Sequence, residues 1–97
     1  VFTNEDHKNM KGFKDIYINK DERFSIGFDE GSNRYYISIP VSNRMVDYEE
    51  YYVLPKDTAL SYDNNIEDIL CIVKKCRDRK NDEHLFFKPG KDRGIPS

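Results

Sequence analysis

Apolar and polar residues alternate along two consecutive stretches of the chain, residues 23–28 and 34–41. This period of two is typical of strands that bury one face. The stretch between them is rich in Asp, Gly, Ser and Asn, and Gly31 within it suits a turn position with positive φ. The two stretches therefore predict a β-hairpin.

Shorter patterns on either side of the hairpin predict further strands. Residues 15–19 form a β-prone run before it, and residues 48–54 form another after it. Pro40 cannot donate to a ladder, so it marks a strand end or an edge position. Residues 85–88 predict a last strand. Residues 89–94 contain Pro and Gly and predict an irregular tail.

One long helix is predicted over residues 66–79, because apolar residues recur there at every third or fourth position. Asn64 or Asn65 is placed to cap its start. Its first turn is acidic and its last turns are basic, which suits the helix dipole. Pro55 is suited to begin a second, short helix.

Together these elements predict an α+β fold, in which one long helix packs on one face of an antiparallel sheet of four to five strands. The face toward the helix is expected to carry Phe24, Ile26, Phe28, Tyr35, Ile37 and Ile39. The other face is expected to hold Tyr36, Ser38 and Tyr52. The polar start of the chain predicts a flexible leader over residues 1–13, followed by a single domain over residues 14–97.

Composition narrows the classes of function. The net charge is −2, whereas general nucleic-acid binders carry a basic excess, so no direct nucleic-acid partner is expected. No apolar run approaches the roughly 20 residues of a membrane span, so no membrane partner is expected. Cys71 and Cys76 are five positions apart on the predicted helix and point in different directions. Buried free thiols and a cytoplasmic location are therefore expected.

The chain contains no group of residues typical of catalysis. Its histidines are His7, in the predicted leader, and His84, in a polar loop. Cys71 and Cys76 with His84 match no zinc spacing, and residues 89–94 lack the spacing of a phosphate-binding loop. We therefore expect no catalytic residues, no metal site and no cofactor.

Residues 47–52 are unusual because they contain three tyrosines and three acidic residues in six positions. In a structural interpretation, the tyrosines pack on the core and the acids face solvent. In a functional interpretation, the tyrosines supply contact area and the carboxylates attract a basic partner. The predicted contact surface joins this segment to the acids that follow it: Asp47, Tyr48, Glu49, Glu50, Tyr52, Asp57, Asp63, Glu67 and Asp68.

Four segments resemble a family of small bacterial proteins: Phe24–Asp29 (FSIGFD), residues 34–43 (RYYISIPVSN), residues 46–52 (VDYEEYY) and residues 88–94 (KPGKDRG). The similarity extends over residues 14–97 and excludes the leader. This family resembles the immunity proteins of bacterial contact-dependent growth inhibition systems. The resemblance implies a cytoplasmic protein that binds and neutralises one cognate toxin domain, often a nuclease. It implies neither a topology nor a catalytic residue.

Three classes of function stay open. The first is an inhibitor of the immunity class, which is expected to form a salt-sensitive complex with a basic toxin. The second is a protein-interaction module of unrelated role or a homodimer. The third is a small enzyme or RNA-processing factor, whose basic, aromatic patch would consist of Arg77, Arg79, Lys80, Lys88, Lys91 and Arg93 beside Phe86 and Phe87.

Overall fold

A computed structural model of the protein describes residues 12–43, 46–88 and 93–96. The strands are Phe13–Asn19 (β1), Phe24–Asp29 (β2), Arg34–Ser42 (β3), Asp47–Leu54 (β4) and Ile95–Pro96 (β5). The helices are Lys56–Leu60 (α1), Ile66–Arg77 (α2) and a 3₁₀ turn, Asp82–His84. Strands β1 to β4 lie side by side in chain order, β5 pairs with β3, and all pairs are antiparallel.

This architecture confirms the predicted α+β fold, including the short helix that follows Pro55. The predicted hairpin is β2 and β3. In its turn, the Asp29 carboxylate accepts hydrogen bonds from the backbone N–H groups of Gly31 and Ser32. The positive φ, 59°, falls on Asn33 rather than on Gly31. Asn tolerates this conformation better than most residues with a side chain, so the turn forms without a glycine at that position.

The core lies between the sheet and helices α1 and α2. Its buried residues are Phe24, Ile26, Ile37, Ile39, Val41, Tyr52, Leu54, Ala59, Ile69, Val73 and Cys76. The prediction that Tyr52 lies on the face away from the helix is wrong. In the β3–β4 register Ile37 is directly opposite Tyr52, and directly opposite residues share a face of the sheet.

The other face of the sheet, which we call the open face, carries no helix among the described residues. Its central residues are Phe13, Asp15, Gly27, Tyr36, Ser38, Glu49 and Tyr51. A Cβ atom on Gly27 would collide with the Tyr36 hydroxyl group and with the Lys14 carbonyl oxygen. The glycine therefore allows the Tyr36 side chain to cross β2 and donate a hydrogen bond to Asp15 Oδ1, at 2.5 Å.

The segment after α2 differs from its prediction. Residues 85–88 do not form a strand, and Leu85 makes only a single bridge with Tyr52. Leu85 packs against the core, whereas the Phe86 ring lies 6.5 Å from the ring of Tyr36, on the open face. The segment thus crosses the outer edge of β4 and places one side chain on each face. The last strand of the chain is β5.

Two predicted boundaries also change. Helix α2 ends at Arg77 rather than at residue 79, because Arg79 adopts a φ of 62°, a left-handed conformation that ends helices. Phe13 was assigned to the leader but begins β1, where its ring lies 4.4 Å from that of Tyr51. The remainder of the predicted leader, apart from Gly12, lies outside the described residues.

Candidate functional site

Glu50 is an acidic residue on the core-facing side of β4, with only 6% of its surface exposed. Arg93 contacts both of its carboxylate oxygens, Nε to Oε2 at 2.7 Å and Nη2 to Oε1 at 3.0 Å. Arg79 Nη1 also donates to Oε1, at 3.0 Å, and so does the Tyr52 hydroxyl group. Two guanidinium groups therefore compensate a single buried carboxylate, as buried charge requires.

The same arginines attach the end of the chain to the sheet. We call residues 93–96 the C-terminal strap. Arg93 also pairs with Asp82, at 2.8 and 2.9 Å, and these hydrogen bonds hold the pKa of Asp82 below its usual range. Arg79 donates to the Gly94 carbonyl oxygen, and the Gly94 N–H donates to the Tyr48 hydroxyl at 2.8 Å.

This arrangement corrects the expected exposure of three predicted contact residues. Glu50 and Tyr52 are buried, and burial together with the Glu50 charge raises the pKa of the Tyr52 hydroxyl. Tyr48 is half-buried, and its hydroxyl already accepts a hydrogen bond from the strap. These three side chains stabilise the attachment of the strap and offer a partner little surface.

The six other predicted contact residues are exposed, but they lie on two different layers of the molecule. Asp47 and Glu49 belong to the open face. Asp57, Asp63, Glu67 and Asp68 lie in α1, in the α1–α2 connection and in the first turn of α2. We call these four residues the acidic helix surface. None of them forms an ion pair with another described residue.

The open face also brings together residues that the sequence interpretation left out. The Phe13 ring lies 4.4 Å from that of Tyr51, 5.3 Å from that of Phe86 and 6.0 Å from that of Phe87. Tyr51 alternates with the core-facing Tyr52, so a correct assignment of strand face would have placed it here. No signal in the sequence placed Phe86 and Phe87 on this face, because the segment that carries them is not part of the ladder.

Glu49 keeps contact with solvent on the open face, yet burial by its neighbours raises the pKa of its carboxyl group. The negative charge of Asp15 acts in the same direction, and a hydrogen bond from Ser38 acts against it. The pKa of Tyr51 is raised mainly by burial and also by the charges of Glu49 and Asp15. The negative charges of Glu49 and Asp15 thus act on the Tyr51 hydroxyl group of this face.

The residues considered for catalysis that the structure describes are His84, Cys71 and Cys76. His84 is exposed, and its Nδ1 lies 2.9 Å from Asn81 Oδ1. Burial raises the pKa of the Cys76 thiol to about 11, which leaves little reactive thiolate at neutral pH. Cys71 is a free thiol like Cys76 but is exposed rather than buried. Within the described ranges, no group of three or more His, Cys, Asp or Glu residues is placed to hold a metal ion.

Several arginines of the basic patch considered for RNA binding contact other groups within the protein. Arg79 and Arg93 bind Glu50, and the Arg77 guanidinium donates to the carbonyl oxygens of Glu22 and Arg23 at 2.5 and 2.9 Å. Lys80 and Lys88 are exposed, and Lys91 lies outside the part of the chain that the structure describes. Of the five described cations in this patch, Arg77, Arg79 and Arg93 are held by internal contacts, and Lys80 and Lys88 remain exposed.

The chain matches no family model, no curated protein and no solved structure. Of the helices in the described ranges, none combines the length and the apolar character needed to cross a membrane.

Proposed function

We propose that this protein is a non-catalytic inhibitor of the immunity class, which binds and neutralises a cognate bacterial toxin domain in the cytoplasm. The four segments that resemble immunity proteins of contact-dependent growth inhibition systems motivate this proposal. The toxin is expected to be a basic domain of the nuclease class, because an enzyme that binds a polyanion needs positive charge at its site.

The observation that carries the proposal is the acidic helix surface. Four exposed carboxylates lie between residues 57 and 68, and no described residue forms an ion pair with any of them. No Lys or Arg lies within this span to offset the negative charge. Such a surface attracts a basic partner and raises the rate of encounter.

The experiment combines binding with inhibition. The chain is used to capture basic toxin domains from the native bacterium, and each purified domain is then assayed for nuclease activity with increasing amounts of this protein. We expect complete inhibition at a 1:1 ratio. Toxin domains that bind without losing activity, or that are inhibited only at large excess, would rule out the immunity function.

A matched pair of variants tests the surface. Glu67→Gln with Asp68→Asn removes two charges from the acidic helix surface, and Asp21→Asn with Glu22→Gln removes two exposed charges from the β1–β2 turn. We expect the first pair to weaken binding of the toxin domain about fivefold at low salt and the second less than about twofold. Equal effects would show that only net charge matters and would remove the proposed surface.

One observation favours a second candidate, a homodimer. Ile16 and Ile18 are 46% and 56% exposed on β1, an edge strand with no strand beside its outer edge among the described residues. Exposed apolar residues on such an edge favour pairing with a second copy. Sedimentation of the isolated protein separates the two candidates. A stable dimer that Ile16→Lys dissociates would support the homodimer, and a monomer would exclude it.

A further inference from the structure

The open face combines exposed aromatic surface with charge. Phe86 and Phe87, on the segment that follows α2, reach this face and contact Phe13. Phe87 remains 45% exposed. A sheet face that is neither covered by a helix nor polar throughout is a typical site of protein contact.

Two carboxylates border the aromatic rings of this face. Asp15 accepts a hydrogen bond from the Tyr36 hydroxyl at 2.5 Å, and Glu49 lies two residues before Tyr51 on the same face of β4. Neither carboxylate forms an ion pair within the described ranges. The charges of both act on Tyr51. A cation that approached Tyr51 would therefore meet two uncompensated negative charges beside an aromatic ring.

The face already holds one guanidinium group against an aromatic ring. Arg34 lies over the ring of Phe86, with its central carbon 4.4 Å from the ring centroid. Arginine is better suited than lysine to such a place, because its planar group stacks on an aromatic ring while its N–H groups pair with carboxylates.

We propose that the open face binds an arginine side chain of a partner protein, which pairs with Glu49 and Asp15 and stacks on Tyr51. The identity of that partner rests on the proposed function, in which it is the basic toxin domain. Nucleic acid is a poorer occupant of this face, because its phosphates would meet the same two carboxylates.

A small probe tests this site without any toxin. The isotopically labelled protein is titrated with the capped tripeptide acetyl-Gly-Arg-Gly-amide at low salt, and amide shifts are followed by NMR. We expect saturable shifts at Ser38, Glu49 and Tyr51, with an affinity in the millimolar range. A peptide with norleucine in place of arginine should give no saturable shift, because it lacks the cation.

Two variants locate the response. Glu49→Gln should weaken binding of the arginine peptide about threefold, the size expected of one solvent-accessible ion pair. Glu67→Gln, an equal charge change on the acidic helix surface, should leave it unchanged. Glu49→Gln should retain the fold because Glu49 is exposed at the surface and the two side chains have nearly the same size and shape.

Two results would overturn the proposal: no saturable shift with the arginine peptide, or equal weakening by both variants. Failure of this experiment leaves the proposed function standing, because inhibition of a toxin through the acidic helix surface does not require the open face. Failure of the inhibition assay leaves this site standing as a surface for an arginine-bearing protein of another kind.

Discussion

Glu50 shows how one residue can contradict its own sequence pattern. It lies among acids and tyrosines that resemble a recognition surface, yet it is buried with Arg79 and Arg93 on its carboxylate. We expect Glu50→Gln to lower the free energy of unfolding by about 3 kcal/mol, because it leaves two partly buried guanidinium groups facing a neutral amide. Urea denaturation followed by circular dichroism measures the change.

The neighbouring Glu49 provides the control for this prediction. It lies on the other face of the same strand and keeps contact with solvent, so Glu49→Gln should change the free energy of unfolding by less than about 0.5 kcal/mol. Similar losses in the two variants would mean that the Glu50 network contributes no more than a surface charge.

Gly27 is required by the close approach of a side chain and of a neighbouring backbone oxygen rather than by its own backbone conformation. A Cβ atom there would meet the Tyr36 hydroxyl and the Lys14 carbonyl oxygen, whereas the nearest atom to a Cβ on Gly31 is Asp29 Oδ1 at 3.4 Å. We expect Gly27→Ala to destabilise the protein by at least about 2 kcal/mol, because Tyr36 must leave Asp15. Gly31→Ala should lie within about 1 kcal/mol of the wild type.

Thermal unfolding of the two alanine variants makes this comparison. Tyrosine hydroxyl resonances add a direct check, because loss of the Tyr36–Asp15 hydrogen bond accompanies the clash. Equal stability of the two variants would show that the sheet relaxes around Gly27 and that the crossing of Tyr36 over β2 is not a fixed feature.

At the scale of elements, periodicity predicted what the chain builds from local pattern. The hairpin and α2 follow directly from periods of two and of about 3.6, and both form, with α2 two residues shorter at its end than predicted. The face of β4 was not predictable in this way, because its acids and tyrosines give both faces a similar polarity. Only the register with β3 decides that Tyr52 lies in the core and Tyr51 on the open face.

The C-terminal strap is the element that was hardest to predict from the sequence. Two residues form β5, too few to produce a pattern, and the attachment depends on contacts with residues distant in sequence, such as Glu50. From the sequence alone, an arginine in a tail that contains Gly and Pro is expected to be exposed to solvent. Arg93 meets its partners, Glu50 on β4 and Asp82, only when the fold brings these segments and the tail together.

The strap should make stability depend on acidic pH. Arg93 lowers the pKa of Asp82 below its usual value of 3.8, so ionised Asp82 stabilises the folded state above that value. This contribution is lost as the pH falls through the lowered pKa. In the wild type, the free energy of unfolding should fall as the pH drops below about 4. We expect this fall to be smaller in Arg93→Gln. Lys75→Gln, at an exposed α2 position, should leave that decrease unchanged.

Urea titrations at a series of acidic pH values measure this dependence in the wild type and in both variants. Asp78 also has a lowered pKa, through Lys74, and contributes with the same sign, but it is identical in all three proteins and cancels in the comparison. An unchanged slope in Arg93→Gln would show that the Arg93–Asp82 pair does not persist in solution.

At the scale of the whole molecule, the exposed residues of the predicted contact surface divide between two layers. Asp47 and Glu49 lie on the open face, while the acidic helix surface lies with the helices on the other side of the sheet. Strand order and the alternation of faces produce this division, and neither is contained in the spacing of acids along the chain. Composition alone therefore predicted an acidic protein of small net charge. The structure adds the positions of the carboxylates that form no ion pair among the described residues.

This division predicts that the two surfaces act on different rate constants of toxin binding. Charges that steer an approaching partner change the association rate, whereas groups in direct contact change the dissociation rate. We expect Glu67→Gln with Asp68→Asn to lower the association rate about fivefold at low salt, with the effect vanishing as salt screens it. We expect Glu49→Gln to raise the dissociation rate about threefold and to leave association nearly unchanged.

Surface plasmon resonance at several salt concentrations, with the inhibited toxin domain immobilised, resolves the two rate constants. Asp21→Asn with Glu22→Gln serves as the control for net charge and should change neither by more than about twofold. If Glu49→Gln and the helix variant alter the same rate constant, the two surfaces do not have separate roles. A loss confined to dissociation in both variants would place the acidic helix surface inside the contact itself, because a group that only steers the encounter has no influence on how long the complex lasts.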